Sequence, residues 1–140
     1  MSKVAVVYWS GTGNTEIMAN AVADGAKGKG AEVDVLTCAD FSSAKVGEYE
    51  GIAFGCPAMG AEVLEETEFQ PMFDEVKGKL GGKKVALFGS YGWGDGEWMR
   101  SWEEDCKANG VNLVTESVIC NAAPDDAALA SLKALGEAIS

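Results

Sequence analysis

The most constraining stretch is Val4-Ala5-Val6-Val7-Tyr8-Trp9 followed by Ser10-Gly11-Thr12-Gly13-Asn14-Thr15 and then by apolar residues at helical spacing, Ile17, Met18, Ala21, Val22 and Gly25. The first run is β-branched, aromatic and almost wholly apolar, as in a strand buried on both faces of a parallel sheet. The loop therefore joins the carboxyl end of a buried strand to a helix N-terminus, where free backbone N–H groups and the macrodipole favour an anion. Its glycines allow close backbone approach, and Ser10, Thr12, Asn14 and Thr15 add side-chain donors. A nucleoside-triphosphate loop requires a Lys and a Ser/Thr after its last glycine, and a dinucleotide fingerprint requires a third glycine where this chain has Glu16. What remains is an uncharged cradle for one terminal phosphate, or a plain strand-to-helix turn.

The rest of the chain repeats the pattern. Gly28 and Gly30 end the first helix, and Ala31 to Leu36 alternates Val33 and Val35 with Glu32 and Asp34, as an edge or half-exposed strand does. Thr37 to Glu48 is polar and irregular, with Phe41 and Val46 as anchors. Gly51 to Cys56 reads as a central strand stopped by Pro57. Phe69 to Leu80 reads as a helix with Phe73, Val76 and Leu80 on one face, and Val85 to Phe88 as a strand. Glu97 to Asn109 is a helix, Val111 to Cys120 a fifth strand, and Pro124-Asp125-Asp126 opens a last helix over Ala127 to Ile139. Strands alternating with helical segments predict one α/β domain over residues 1–140, a doubly wound parallel sheet with helices on both faces. Ligands in such folds sit beyond the carboxyl ends of the strands, which singles out loops 10–15, 57–62 and 90–96.

Composition narrows the chemistry. The 140 residues carry a formal net charge of −11, which opposes nucleic acid and anionic membranes and favours partners with basic surfaces. There is no basic and apolar leader and no apolar run approaching ~20 residues, so a cytoplasmic location is expected. Histidine is absent, which removes the commonest general base and metal ligand and favours a cofactor that brings its own chemistry. Cys38, Cys56, Cys106 and Cys120 lie far apart without a C-x-x-C pair, against zinc, an iron–sulfur cluster or a redox dithiol, and most of them read as small buried hydrophobes. No catalytic residue and no metal ligand is assigned.

Three segments, Tyr8-Trp9-Ser10-Gly11-Thr12-Gly13-Asn14-Thr15, Cys56-Pro57-Ala58-Met59-Gly60 and Phe88-Gly89-Ser90-Tyr91-Gly92-Trp93-Gly94, resemble in order and spacing the FMN-binding loops of short-chain flavodoxins. The resemblance implies a five-stranded sheet of order 2-1-3-4-5, one non-covalent FMN, and one-electron transfer between cytoplasmic redox proteins by a monomer. It implies that Ser10, Gly11, Thr12, Gly13, Asn14 and Thr15 hold the phosphate with Ser90, that Trp93 on its Gly92 and Gly94 mount stacks on one ring face while Met59 fills the other, and that Glu62 accepts from the flavin N3–H. Gly60 is implied to turn its carbonyl toward the proton gained at N5, and Pro57, Ala58, Ala61, Tyr91 and Asn121 complete the candidate site. Two positions depart from many relatives. Pro57 replaces a hydroxyl for the ribityl chain, so that contact falls to backbone. Ala61 stands where a polar residue or glycine is common; a type II turn needs positive φ there and a type II′ turn does not, so Ala61 biases the loop toward the turn of the semiquinone state.

Trp98 and Trp102, i and i+4 on a helix, read as core, and Trp9 as packed beneath the site. Glu62, Glu65, Glu66, Asp95 and Glu97 are expected to rim the ring. A carboxylate ~10 Å from an added electron, at an effective dielectric near 20, opposes it by roughly 1.7 kcal/mol, on the order of 70 mV. Several such charges imply a low-potential shuttle between semiquinone and hydroquinone. The competing function is a small FMN-dependent reductase acting on a quinone or similar substrate. A phosphatase loop would need a Cys and a following Arg, but the sole arginine is Arg100; a receiver domain would need acidic residues where Ser10 and Cys56 stand.

Overall fold

The computed structural model describes residues 3–9, 13–59, 64–92 and 96–140. Five strands, β1 (Lys3–Tyr8), β2 (Glu32–Thr37), β3 (Gly51–Gly55), β4 (Lys84–Tyr91) and β5 (Val118–Asn121), form one parallel sheet. Their order is β2-β1-β3-β4-β5, as the resemblance implies. Four helices lie in the connections between them, α1 (Asn14–Gly28), α2 (Ser43–Val46), α3 (Phe69–Val76) and α4 (Glu97–Ala108), and α5 (Asp126–Ala138) follows β5.

The side-chain alternation of the strands divides the interior into two layers. Ala5, Val7, Ile52, Phe54, Val85 and Leu87 face α3 and α4, where they meet Phe69, Phe73, Val76, Trp98 and Trp102. Val4, Val6, Ala53, Ala86 and Phe88 face α1 and α5, where they meet Met18, Val22, Leu132 and Leu135. Residues 4–7 and 51–55 are buried throughout, which is why those runs carry no polar alternation. The core reading of Trp98 and Trp102 holds: they are 1% and 2% exposed, and Trp102 stands edge-on to Phe69 and Phe73. The anchors Phe41 and Val46 are likewise buried.

One connection is as irregular as expected, and two elements differ from expectation. The β2–β3 crossover holds only a 3-10 turn, Cys38–Asp40, and the four-residue α2, because no apolar helical period runs through it. Helix α3 stops at Val76 and tightens into a 3-10 turn, Lys77–Lys79, that still delivers Leu80 to the core. The fifth strand is shorter than residues 111–120. Leu113 bridges Val85 and Val118 pairs with Phe88, so four intervening residues on this chain segment stand against two on β4. The excess lies in the polar Thr115-Glu116-Ser117, where the Ser117 hydroxyl donates to the Glu103 carboxylate on α4 at 2.7 Å instead of joining the ladder. Among the described residues, no helix is long and apolar enough to cross a membrane.

Candidate functional site

The carboxyl ends of β1, β3 and β4 open onto a cleft of about 340 Å3 walled by Trp9, Asn14, Pro57, Ala58, Met59, Ser90, Tyr91, Gly92 and Ala122. Backbone hydrogen bonds fix this floor strand by strand. The Trp9 N–H donates to the Gly55 carbonyl at 3.0 Å, Ala58 N–H to the Ser90 carbonyl at 3.0 Å, and Ala122 N–H to the Tyr91 carbonyl at 2.8 Å. Every candidate loop thus reaches one site through at least one described residue. Its walls are mostly apolar, with Asn14 and Ser90 among the lining residues, a composition suited to a flat aromatic ligand carrying a polar tail.

The anion end is built at the start of α1. Gly13 holds φ 93°, a left-handed conformation that favours glycine, and gives the helix no side-chain cap. Thr15, in the first turn, is 1% exposed, and its Oγ1 is buried without a hydrogen-bond partner among the described residues. A buried hydroxyl left unmet costs about 1–3 kcal/mol. A helix N-terminus beside a buried hydroxyl without a partner among the described residues is what a phosphate acceptor would satisfy, so the donors present fit the phosphate of FMN.

The described candidates Gly13, Asn14, Thr15, Pro57, Ala58, Met59, Ser90, Tyr91 and Gly92 all lie at the cleft or its anion end. Ser10, Gly11, Thr12, Gly60, Ala61, Glu62, Trp93 and Gly94 lie outside the described residues. Asn121 is the last residue of β5 and exposed; the cleft wall is supplied by its neighbour Ala122, in the left-handed region at φ 58°. No composition signal marks an alanine for that position. Trp9 does more than pack beneath the site: it contacts the core and lines the cleft, with its indole N–H donating to the Glu68 carboxylate at 3.4 Å.

The acidic rim needs one correction. Glu65 is 6% exposed and points inward. Its carboxylate accepts from the N–H groups of Thr67, Glu68 and Phe69 at 3.0, 2.7 and 2.9 Å and from the Thr67 hydroxyl. Burial pushes its pKa up, but the hydroxyl and backbone donors outweigh burial and bring it down to about 2. It is a structural anion at the head of α3. Glu66 and Glu97 are exposed as expected, while Glu62 and Asp95 lie outside the described residues. Three of the four thiols are buried, burial pushing Cys38 up to about 11 and Cys56 and Cys106 up to about 12, while Cys120 is half-buried.

The chain is similar to known proteins over most of its length. The family model described as Flavodoxin matches residues 6–134. The chain is similar to the flavodoxin of Clostridium beijerinckii, 48% identical over 122 residues covering 87% of this chain and 88% of that protein. It is 45% identical over 135 residues to the flavodoxin of Megasphaera elsdenii, covering 96% of each. Among solved structures it superposes on two-electron-reduced Megasphaera elsdenii flavodoxin with a TM-score of 0.89, 46% identity and 97% of both chains covered. With the sheet order, the three-loop cleft and the unmet phosphate donors, these likenesses show that the chain belongs to the flavodoxin family, FMN-binding electron carriers rather than enzymes.

Proposed function

We propose that this protein is a low-potential one-electron carrier that cycles its FMN between semiquinone and hydroquinone for cytoplasmic redox proteins with basic docking faces, working as a monomer with one domain over residues 1–140. Bound FMN supplies the one-electron chemistry. The observation that supports the assignment of its site is the buried Thr15 Oγ1, which has no hydrogen-bond partner among the described residues, in the first turn of a helix whose Asn14 lines the cleft.

The chain's own residues divide the work. Asn14, Thr15 and the first-turn N–H groups of α1 hold the phosphate, joined by Ser10, Gly11, Thr12, Gly13 and Ser90. Met59 and Trp93 flank the ring, with Pro57, Ala58, Tyr91, Gly92 and Gly94 shaping the walls. Gly60, Ala61 and Glu62 address the ring's polar edge. The remaining acidic rim, Glu62, Glu66, Asp95 and Glu97, opposes a second electron and attracts a basic partner. The net charge of −11 supports both effects.

Anaerobic potentiometric titration of the FMN-loaded protein tests this. Two separate one-electron steps are expected, the second well below that of free FMN, with no oxidation of NAD(P)H unless a separate reductase is added. A second couple at or above that of free FMN overturns the low-potential reading. Turnover of NAD(P)H with a quinone by the protein alone replaces it with the reductase reading.

A further inference from the structure

The cleft wall Pro57–Met59 begins one residue after Cys56 and belongs to a chain segment that returns to the core at Leu64 and Glu65. Cys56 is fully buried and firmly placed. Its N–H donates to the Phe88 carbonyl at 3.2 Å, and its carbonyl accepts from the Trp98 indole at 3.2 Å. Its sulfur joins the two ends of the loop. The Glu65 N–H donates to Cys56 Sγ at 3.4 Å across nine residues of sequence, and the thiol donates to the Pro57 carbonyl at 3.5 Å. The far end is held in turn by Glu65, whose carbonyl accepts from Gln70 N–H at 2.8 Å and whose carboxylate collects the donors leading into α3.

We infer that the Cys56 thiol and Glu65 form a clasp that positions the cleft wall Pro57–Met59, making Cys56 a positioning residue for the redox couple and not only a core side chain. The proposal rests on the carrier reading above. A clasp of this kind matters to the potential if its strength differs between the oxidised and the one-electron-reduced protein, because only differential binding of two states shifts their balance. Cys56 changes no charge when it is replaced, which separates geometry from electrostatics. At Glu65, by contrast, any substitution of the carboxylate also removes a charge.

The test uses FMN-loaded wild type, Cys56→Ala and Cys56→Ser, each titrated potentiometrically, with FMN affinity measured in the oxidised state. Cys56→Ala removes both sulfur contacts, whereas Cys56→Ser keeps a group that can accept from Glu65 and donate to Pro57. Cys56→Ala is expected to change the ratio of affinities for oxidised and one-electron-reduced FMN by about threefold to tenfold, on the order of 30–60 mV in the first couple at ~59 mV per tenfold. Cys56→Ser is expected to recover at least half of that change. An unchanged first couple in Cys56→Ala, or Cys56→Ser behaving as Cys56→Ala, overturns the clasp.

Should Cys56→Ala fail to fold, hydrogen exchange at the wild-type Glu65 amide decides. Protection that differs threefold or more between the two redox states supports the clasp, and equal protection overturns it. Wild type that takes up no FMN refutes the carrier reading, and the clasp with it. Wild type that cycles normally beside an unaltered Cys56→Ala refutes the clasp alone.

Discussion

Glu65→Gln offers a prediction whose magnitude and pH dependence both follow from the geometry. In the folded protein the carboxylate is 6% exposed and accepts three backbone N–H groups and the Thr67 hydroxyl. A glutamine keeps one acceptor oxygen and turns an NH2 toward those donors, leaving at least one buried N–H unmet at about 1–3 kcal/mol. Linkage gives a second route to the same figure. A fall in pKa from 4.5 to about 2 on folding corresponds to roughly 3 kcal/mol. The folded value is the lower one, so this stability is fully present above about pH 4.5 and is lost as pH falls toward 2, with about half remaining near pH 3. Urea unfolding of both FMN-saturated proteins between pH 7 and pH 3, followed by far-UV circular dichroism, isolates the residue, because the titration of the remaining carboxyl groups cancels in the difference. At pH 7 the variant should be less stable by roughly 2–3 kcal/mol, and the gap should narrow to about half by pH 3. A gap that stays constant over that range, or one below about 0.5 kcal/mol at pH 7, refutes the inward, multiply bonded carboxylate.

Three further perturbations probe the site and its support. Thr15→Val removes a buried hydroxyl with no partner among the described residues; the apoprotein should hold its stability or gain up to ~1 kcal/mol in urea titrations, while FMN binding, read by flavin fluorescence quenching, weakens about 10-fold or more. A loss of apoprotein stability with unchanged FMN affinity would count against the phosphate role. Gly25 and Gly136 mark the close crossing of α1 and α5, where a β-carbon would overlap the Lys133 and Val22 carbonyls respectively. Gly25→Ala or Gly136→Ala should therefore lower thermal stability by about 1–3 kcal/mol although alanine is the better helix former, and an unchanged melting temperature would show that the helices separate freely. Ala61→Gly should favour oxidised FMN and lower the first reduction potential; an unchanged or raised value contradicts the turn bias argued for Ala61.

The amino-acid sequence by itself determined the layered α/β architecture, because strands buried on both faces of a parallel sheet must be continuous apolar runs, and Val4 to Val7, Ile52 to Phe54 and Val85 to Phe88 are. It also pointed to the ends of those runs, since the apolar run of β1 gives way to Gly13, Asn14 and Thr15, that of β3 stops at Pro57, and that of β4 passes into Ser90, Tyr91 and Gly92. Helical spacing sufficed for Trp98 and Trp102, whose burial is a property of one helix face.

Tertiary structure alone decided what depends on distance between chain segments. Glu65 and Glu66 are adjacent and chemically identical, yet one caps α3 from inside and the other faces solvent, because the direction of the chain entering the helix sets which carboxylate meets the free N–H groups. The fifth strand pairs with β4 only over Val118–Asn121, with the Ser117 hydroxyl bonded to Glu103 of α4 just before it. Ala122 entered the cleft and Asn121 did not through one positive φ. The sulfur of Cys56 met an amide nine residues away, a contact that no periodicity encodes. Patterns in sequence report how each element is buried, whereas hydrogen bonds between elements are fixed only when the sheet and its helices have been packed together.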